Sequence, residues 1–371
     1  MPKLVIIGGG GFMGQSIAAK FSQDHTEYQI VILDLKMEKL PIVQLPDTVI
    51  FHKGSFLDST LLNEVLQNAD VVFHLAAVGM MGLSANDKDN ILAVNVEGTR
   101  QLLEKCQFHN VKRFVYASSI AVVFTGKPLW NVTEDAKLPK EEDYLNHYSV
   151  SKAMAEQLVL ESSTPSFKTT ALRFRGVYGP GDPNVTKKVA DLIRANCFLF
   201  LVSSHNIEAV SQATSIENCT NAFVLSEKML QRENGPHGKP YFILDDEVMG
   251  NFTFWKPLIL KLGHATPQAF ISYSLVRKIL PIYEKCCYLI KCAPILSLFE
   301  LETLCVHNTY STAAARADMG YQAEPSLMEE TAAYCAKHTP ETTTLNPLFC
   351  TIFIIFSLFM IIFYYRNYVP I

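Results

Sequence analysis

Residues 3–14 read Lys3-Leu4-Val5-Ile6-Ile7-Gly8-Gly9-Gly10-Gly11-Phe12-Met13-Gly14, an apolar run that ends in a glycine cluster opening a helix. Glycines at 8, 11 and 14 have the spacing GxxGxxG. Such glycines permit a tight turn, close approach of backbone to a pyrophosphate, and close packing of helix on strand. The phosphates would meet the free N–H groups and positive dipole end of that helix. Gly8, Gly11, Phe12, Met13 and Gly14 are therefore the expected cofactor cradle. Asp34 ends a second apolar run, 20 residues after Gly14, where a carboxylate would hydrogen-bond the adenosine ribose. A carboxylate there repels a 2′-phosphate, which favours NAD over NADP; Lys36 follows two residues on.

Outward from this unit, the first two hundred residues alternate short apolar runs with amphipathic stretches. That pattern indicates an α/β fold with a doubly wound parallel sheet of the Rossmann type. Strands are expected at Lys3–Ile7, Gln29–Asp34, Val49–His52, Asp70–Leu75, Arg113–Ser118 and Thr169–Phe174, each rich in the residues of strands buried on both faces. Helices are expected at Leu61–Gln67, Ile91–Cys106 and Ser149–Ser162. After Pro183 the pattern loosens, which suggests a smaller C-terminal substrate lobe. The expected organisation is a Rossmann domain at 1–183, a lobe at 184–340 interleaved with it, and a membrane anchor at 347–365. Within the lobe, the apolar stretch 270–301 carries Arg277, Lys278, Glu284, Lys285 and Lys291. It fits either an amphipathic segment on a membrane surface or ordinary helices of the lobe.

Composition sets the remaining bounds. Of 371 residues, 49% are hydrophobic and 18% charged, and the net charge is -4. No dense Lys/Arg run could bind a phosphate backbone, so nucleic acid is not an expected partner. Nine cysteines are scattered without metal-ligand or disulfide-framework spacing, which reads as a reduced, cytosol-facing domain with no metal site. Four Asn-x-Ser/Thr sequons, at Asn131, Asn184, Asn218 and Asn251, would matter only in a lumen. The first apolar run leads straight into glycines and has no cleavage site, so it reads as a strand rather than a signal peptide. Residues 348–365, LFCTIFIIFSLFMIIFYY, carry no charge and precede Arg366. About 18 residues make a helix of roughly 27 Å, enough for a bilayer core. Apolar on every face, the segment reads as a transmembrane helix with the catalytic domain in the cytosol.

Two further groups carry chemistry. Tyr148 and Lys152 are four residues apart on an expected helix, hence one turn apart on one face. A free tyrosine, with a pKa near 10, is a poor base; a neighbouring lysine and a positive nicotinamide ring would both stabilise the phenolate and bring it towards the working range. Ser119 follows strand Arg113–Ser118 about thirty residues before Tyr148. At the carboxyl end of a strand its hydroxyl would face the substrate crevice. Asn95, polar in an otherwise apolar helix, wants a partner, and a water relay to Lys152 would supply one.

Taken in order, GGGGFMG, Asp34, HLAAVG at 74–79, NVEGT at 95–99, YASS at 116–119, YSVSK at 148–152 and GVYGPGDP at 176–183 resemble the extended short-chain dehydrogenases. Within them the chain resembles the 3β-hydroxysteroid dehydrogenase/isomerase family, nearest the branch holding the sterol-4α-carboxylate 3-dehydrogenases and the family 42E proteins. HYSVSKAMAEQLVL at 147–160, KPYFILDDE at 239–247 and MGYQAEPSLMEE at 319–330 add to the likeness, which covers residues 3–338. It implies Tyr148 as acid/base, Lys152 lowering its pKa and holding the nicotinamide ribose, and Ser119 orienting the substrate oxygen. Asp58 in GSFLD would contact adenine, and Ala76 and Ala77 would wall the cofactor. The likeness also implies attachment to the endoplasmic reticulum and, commonly, a homodimer.

Two departures bear on the substrate. Leu172-Arg173-Phe174-Arg175 replaces the family's Leu-Arg-Pro, and Ser211–Asn218 lacks the acidic-aromatic start before the family's conserved acid. The expected activity is NAD-dependent oxidation of a 3β-hydroxy steroid or sterol. A sugar-nucleotide epimerase or reductase shares the fold and trio, with Arg173 and Arg175 available for a second pyrophosphate. A non-catalytic NAD-sensing membrane scaffold is the alternative from another class.

Overall fold

The computed structural model describes residues 1–198, 200–204 and 206–338. Strands β1 (Lys3–Ile7), β2 (Gln29–Asp34), β3 (Ile50–Lys53), β4 (Val71–His74), β5 (Arg113–Ser119), β6 (Lys168–Phe174) and β7 (Lys239–Ile243) form one sheet in the order β7-β6-β5-β4-β1-β2-β3. Every pairing in it is parallel. The order reverses between β1 and β4, the switch point where such sheets bind ligands beyond their carboxyl ends. There the Leu75 and Ala76 N–H groups both donate to the Ile7 carbonyl, at 2.8 and 3.1 Å, and bring the loop after β4 against the glycine turn.

Helix α1 (Phe12–Asp24) follows β1, α2 (Ser59–Leu66) precedes β4, and α3 (Lys88–Leu92) and α4 (Gly98–Phe108) flank a π-helical turn at Ala93–Glu97. Helix α5 (His147–Glu161) leads to β6, and α6 (Val185–Arg194) and α7 (Ile216–Gln231) come before β7. Alternation along β1 sends Leu4 and Ile6 to one face, with Phe21, Phe73, Phe223 and Tyr321, and Val5 and Ile7 to the other, with Leu102, Phe114 and Val159. Both faces are covered, which is why the strands read as continuous apolar runs.

The expected strands lie within one residue of the observed bounds. Strand β7 was not foreseen; Pro240 within it is tolerated because the strand lies at the sheet edge. The long helix expected at Ile91–Cys106 is interrupted by the π turn. After β7 come α8 (Lys256–Lys261), α9 (Tyr273–Leu289), α10 (Leu298–Cys305), α11 (Ala313–Met319) and α12 (Met328–Lys337). In the stretch 270–301, Val276, Leu280 and Leu301 are buried together. Every cysteine among the described residues is free. Asn218 and Asn251, two of the four sequon asparagines, are buried. Among the described residues no helix is long and apolar enough to cross a membrane; the anchor expected at 347–365 lies outside them.

Candidate active site

The glycine turn separates into two kinds of position. Gly8 has φ +77°, and a Cβ there would stand 2.5 Å from the Ala76 nitrogen. A Cβ on Gly14 would stand 2.3 Å from the Gly9 Cα, and one on Gly10 would stand 1.9 Å from the Lys36 carbonyl oxygen. The protein's own backbone therefore demands these three glycines. A Cβ on Gly11 would meet nothing within 4 Å. Gly11 is the N-cap of α1, makes no side-chain cap, and no acid lies in the first turn. The first N–H groups of α1 thus stand beside an open space, as a pyrophosphate requires. Phe12 is buried and Met13 packs against the core, so both contribute to the cradle through the backbone of that first turn.

Asp34 holds the turn as well as ending β2. Its carboxylate accepts from the Gly10 N–H at 2.8 Å and the Leu35 N–H at 2.6 Å, leaving each oxygen a lone pair for a ribose hydroxyl. Lys36 is paired with Glu38 at 2.9 Å on the surface beside it. Ala76 packs under Gly8 and Ala77 is exposed beside it. Asp58 is exposed and caps α2 through Oδ1, which accepts from Thr60 N at 2.9 Å and Leu61 N at 3.2 Å. Gly10 escaped the sequence reading because its constraint, the Lys36 carbonyl, comes from another segment.

Helix α5 starts on an Asn146 cap that accepts from Ser149 N at 2.8 Å, which sets the phase of the two catalytic candidates. Tyr148 and Lys152 are 8% and 2% exposed. The Lys152 ammonium donates to the Ala117 carbonyl at the end of β5 and lies 4.0 Å over the Tyr116 ring. One turn further, Glu156 takes a fork of hydrogen bonds from Arg173, down to 2.6 Å, and one from the Ser118 hydroxyl. All these groups are buried. The sequence held one signal for Glu156, its i,i+4 spacing from Lys152.

Burial dominates the electrostatics here. It pushes the Tyr148 phenol up to about 12. It lowers the Lys152 ammonium to about 7, against an opposing pull from Glu156. Burial thus acts on the two groups in opposite senses, raising the phenol and lowering the ammonium, because it disfavours the charged form of each.

Ser119 Oγ accepts from the Ala121 N–H at 3.1 Å and keeps its own proton for a ligand. Asn95 lies in the π turn. Its Oδ1 accepts from Val78 N, and its Nδ2 donates to Val78 O and Ser151 Oγ, all at 2.9 Å. Ser151 donates in turn to the Tyr148 carbonyl at 2.8 Å. Asn95 therefore ties the loop after β4 to the backbone that carries Tyr148. Thr99 donates to the Asn95 carbonyl at 2.7 Å and so accepts from His74 Nε2 at 3.0 Å. Burial drops the His74 ring to about 3, so it is neutral.

Tyr148 and Ser119 line a cavity of about 340 Å³ that runs into the C-terminal lobe. Its walls are largely apolar, with Leu192, Phe198, Phe254 and Trp255 among them. Of the two departures, Arg173 is locked to Glu156, stacks on the Phe242 ring and does not line the cavity. Arg175 lines the cavity and donates to the carbonyls of Gln212 and Thr303 and to Asn251 Oδ1. Asn218 donates to buried Asp245 at 2.7 Å and accepts from Glu324 N at 2.7 Å, so it ties α7 to the loops below it.

A parallel sheet with a dinucleotide cradle at its switch point, and a buried tyrosine facing an apolar cavity, belongs to an NAD-dependent oxidoreductase of the extended short-chain dehydrogenase/reductase class. Comparison with known proteins narrows this. The chain belongs to the 3-beta hydroxysteroid dehydrogenase/isomerase family, whose pattern matches residues 5–274. It is 35% identical over 302 residues to 3beta-hydroxysteroid dehydrogenase/Delta(5)-Delta(4) isomerase 1 of Caenorhabditis elegans, covering 81% of this chain and 64% of that protein. It is 28% identical to human short-chain dehydrogenase/reductase family 42E member 1, covering 90% of this chain and 87% of that one. In fold it is similar to UDP-glucuronic acid 4-epimerase from Bacillus cereus, solved in complex with NAD, with a TM-score of 0.68 at 20% identity over 90% of this chain and 99% of the other.

Proposed function

We propose that the protein oxidises the 3β-hydroxyl of a steroid or sterol to the 3-ketone. One observation carries the substrate class: the polar pair Tyr148 and Ser119 faces a cavity of about 340 Å³ whose other walls are mostly aromatic and aliphatic. A few placed polar groups in an apolar pocket orient a single oxygen of an apolar ligand. Ser119 donates to the carbinol oxygen, and the Tyr148 oxygen takes the hydroxyl proton. Lys152, its ammonium fixed on the Ala117 carbonyl, stabilises the phenolate charge. NAD, when bound, supplies the hydride acceptor at the carbinol carbon. Gly11 and the α1 N-terminus would hold its phosphates and Asp34 its adenosine ribose, with Asp58 available to the adenine and Ala76 and Ala77 to its edge.

The sugar-nucleotide reading loses Arg173, which is spent on Glu156, while Arg175 and Lys188 in the cavity wall are already engaged, Arg175 by Gln212, Thr303 and Asn251 and Lys188 by Glu300. The apolar run 348–365 would hold the chain in the endoplasmic reticulum membrane with the catalytic domain towards the cytosol. Digestion of that domain in intact microsomes, without detergent, is the expected outcome; protection would place it in the lumen.

The test is NADH formation by the solubilised full chain, given NAD and a panel of 3β-hydroxysterols with and without a 4-carboxyl group. Products are to be examined for a Δ4 double bond and for loss of the carboxyl. Turnover of any member supports the reading. Silence across the panel with NADH binding intact overturns it, and turnover of a UDP-sugar would replace it.

A further inference from the structure

The Lys152 ammonium is buried, yet among the described residues no carboxylate is bonded to it. The charged and titratable groups packed around it have other commitments. Glu156, one turn along α5, raises the ammonium from a distance, but its oxygens take the Arg173 fork from β6 and the Ser118 hydroxyl from β5. From β4, His74 is neutral, dropped to about 3 by burial and by the nearby Lys152 charge. Tyr148, on the same helix, is raised to about 12 by burial and is neutral as well. Asn95 of the π turn carries no charge and is tied to Val78 and Ser151. Burial meanwhile lowers Lys152 itself to about 7.

What the ammonium does meet is the face of Tyr116. Its nitrogen stands 4.0 Å from the ring centroid, while one N–H goes to the Ala117 carbonyl next along β5. The ring has little freedom. Tyr116 is 1% exposed, lies between His74 and Ala171 in the sheet register, and packs on the His74 ring at 5.5 Å. Burial pushes its phenol well above the ordinary value, with Tyr148 and Glu156 adding to the rise, so it carries no charge. The attraction is therefore that of the negative ring face for a cation, which is strongest where water is excluded.

We propose that Tyr116 is a positioning residue: its ring face keeps the Lys152 ammonium charged and aimed, ready to stabilise the Tyr148 phenolate. An ammonium has three N–H donors. The Ala117 carbonyl takes one, the ring face draws the charge to the same side, and the remaining donors are left for a ligand. An aliphatic side chain at 116 would leave burial unopposed on that side, and Lys152 would give up its proton more readily. This deepens the catalytic reading above and rests on the role given there to Lys152.

The test titrates Lys152 directly, with neither substrate nor cofactor. The full chain, solubilised in detergent, carries carbon-13-labelled lysine, and the Lys152 resonance is identified by its absence in Lys152→Met. Tyr116→Phe removes the hydroxyl and keeps the ring. Mono-, di- and trifluorinated phenylalanines at 116 keep its shape and weaken the negative face step by step. Loss of a desolvated cation–π contact should leave the midpoint within about 0.3 pH unit in Tyr116→Phe and lower it by about one pH unit across the fluorinated series. A midpoint that stays flat across the series, with melting temperatures alike, would overturn the proposal. So would a midpoint that rises with fluorination. No substrate enters this titration, so its failure is separate from silence on the steroid panel, which bears on the catalytic reading.

Discussion

Replacing Gly11 and Gly14 separately by alanine should divide cofactor binding from folding. At Gly14 the new methyl would lie 2.3 Å from the Gly9 Cα and 2.7 Å from its carbonyl carbon, both backbone atoms that cannot swing aside. Overpacking of that kind costs about 3 kcal/mol, and the melting temperature should fall by several degrees. At Gly11 the backbone is φ -91°, ψ -174°, open to alanine, and the methyl meets no protein atom within 4 Å. Alanine is a poorer N-cap than glycine by about 0.5–1 kcal/mol, but it restricts the unfolded chain by about 0.4–1 kcal/mol. Stability should therefore stay within about 0.5 kcal/mol of wild type. The methyl would stand where the pyrophosphate approaches the α1 N–H groups, so NADH affinity should fall at least tenfold, about 1.4 kcal/mol. Thermal melting and NADH fluorescence titration on the same samples measure both quantities. A Gly11→Ala protein that binds NADH as wild type does would refute the placement of the phosphates.

Three further substitutions probe the catalytic corner. Tyr148→Phe should lower kcat by about 10²–10⁴ while leaving the NADH dissociation constant within twofold; unchanged turnover on a steroid would remove Tyr148 from proton transfer. Lys152 is held near 7 in the fold against 10.5 in its ordinary state. Between these values the unfolded chain binds the extra proton, so this group makes stability rise with pH from about 7 to about 10.5. Relative to wild type, Lys152→Met should accordingly be favoured most below pH 7, with the advantage shrinking towards pH 10; a pH-independent difference in melting temperature would contradict the assignment. Glu156→Gln leaves the Arg173 guanidinium buried without its carboxylate, and should cost about 3–5 kcal/mol in urea unfolding. A loss below 1 kcal/mol would mean that the pair is not desolvated.

The sequence was most readable where one segment carries its own constraint. The turn at 8–14, Asp34 at the end of β2, and Tyr148 and Lys152 one helical turn apart follow from local spacing, and the structure places them at the carboxyl ends of β1, β2 and β5. Residues whose partners lie far along the chain were less readable. Gly10 answers to Lys36, Glu156 to Arg173, and Asn95 to Val78 and Ser151. Strand β7 contains Pro240, which only an edge position tolerates, and that position is not visible in local sequence. The π turn left no mark in the hydrophobic pattern. The burial that acts on Tyr148 and Lys152 is likewise invisible in their spacing, which reports a neighbouring charge and is silent about the water that folding removes.

The order of strands in the sheet also sets a timetable for synthesis. Strand β6 is complete at Phe174, yet its outer neighbour β7 begins only at Lys239. At roughly 5–20 residues per second, the ribosome leaves that edge bare for on the order of 3–13 s. Leu4 and Ile6 wait longer still, because Met319 and Tyr321 complete their side of the core. A nascent chain of this protein is thus a half-covered sheet with an open hydrogen-bonding edge, the kind of surface that recruits other strands. Substitutions in 239–243 should therefore appear first as lost yield and chaperone dependence during translation, before any change in the finished enzyme's turnover.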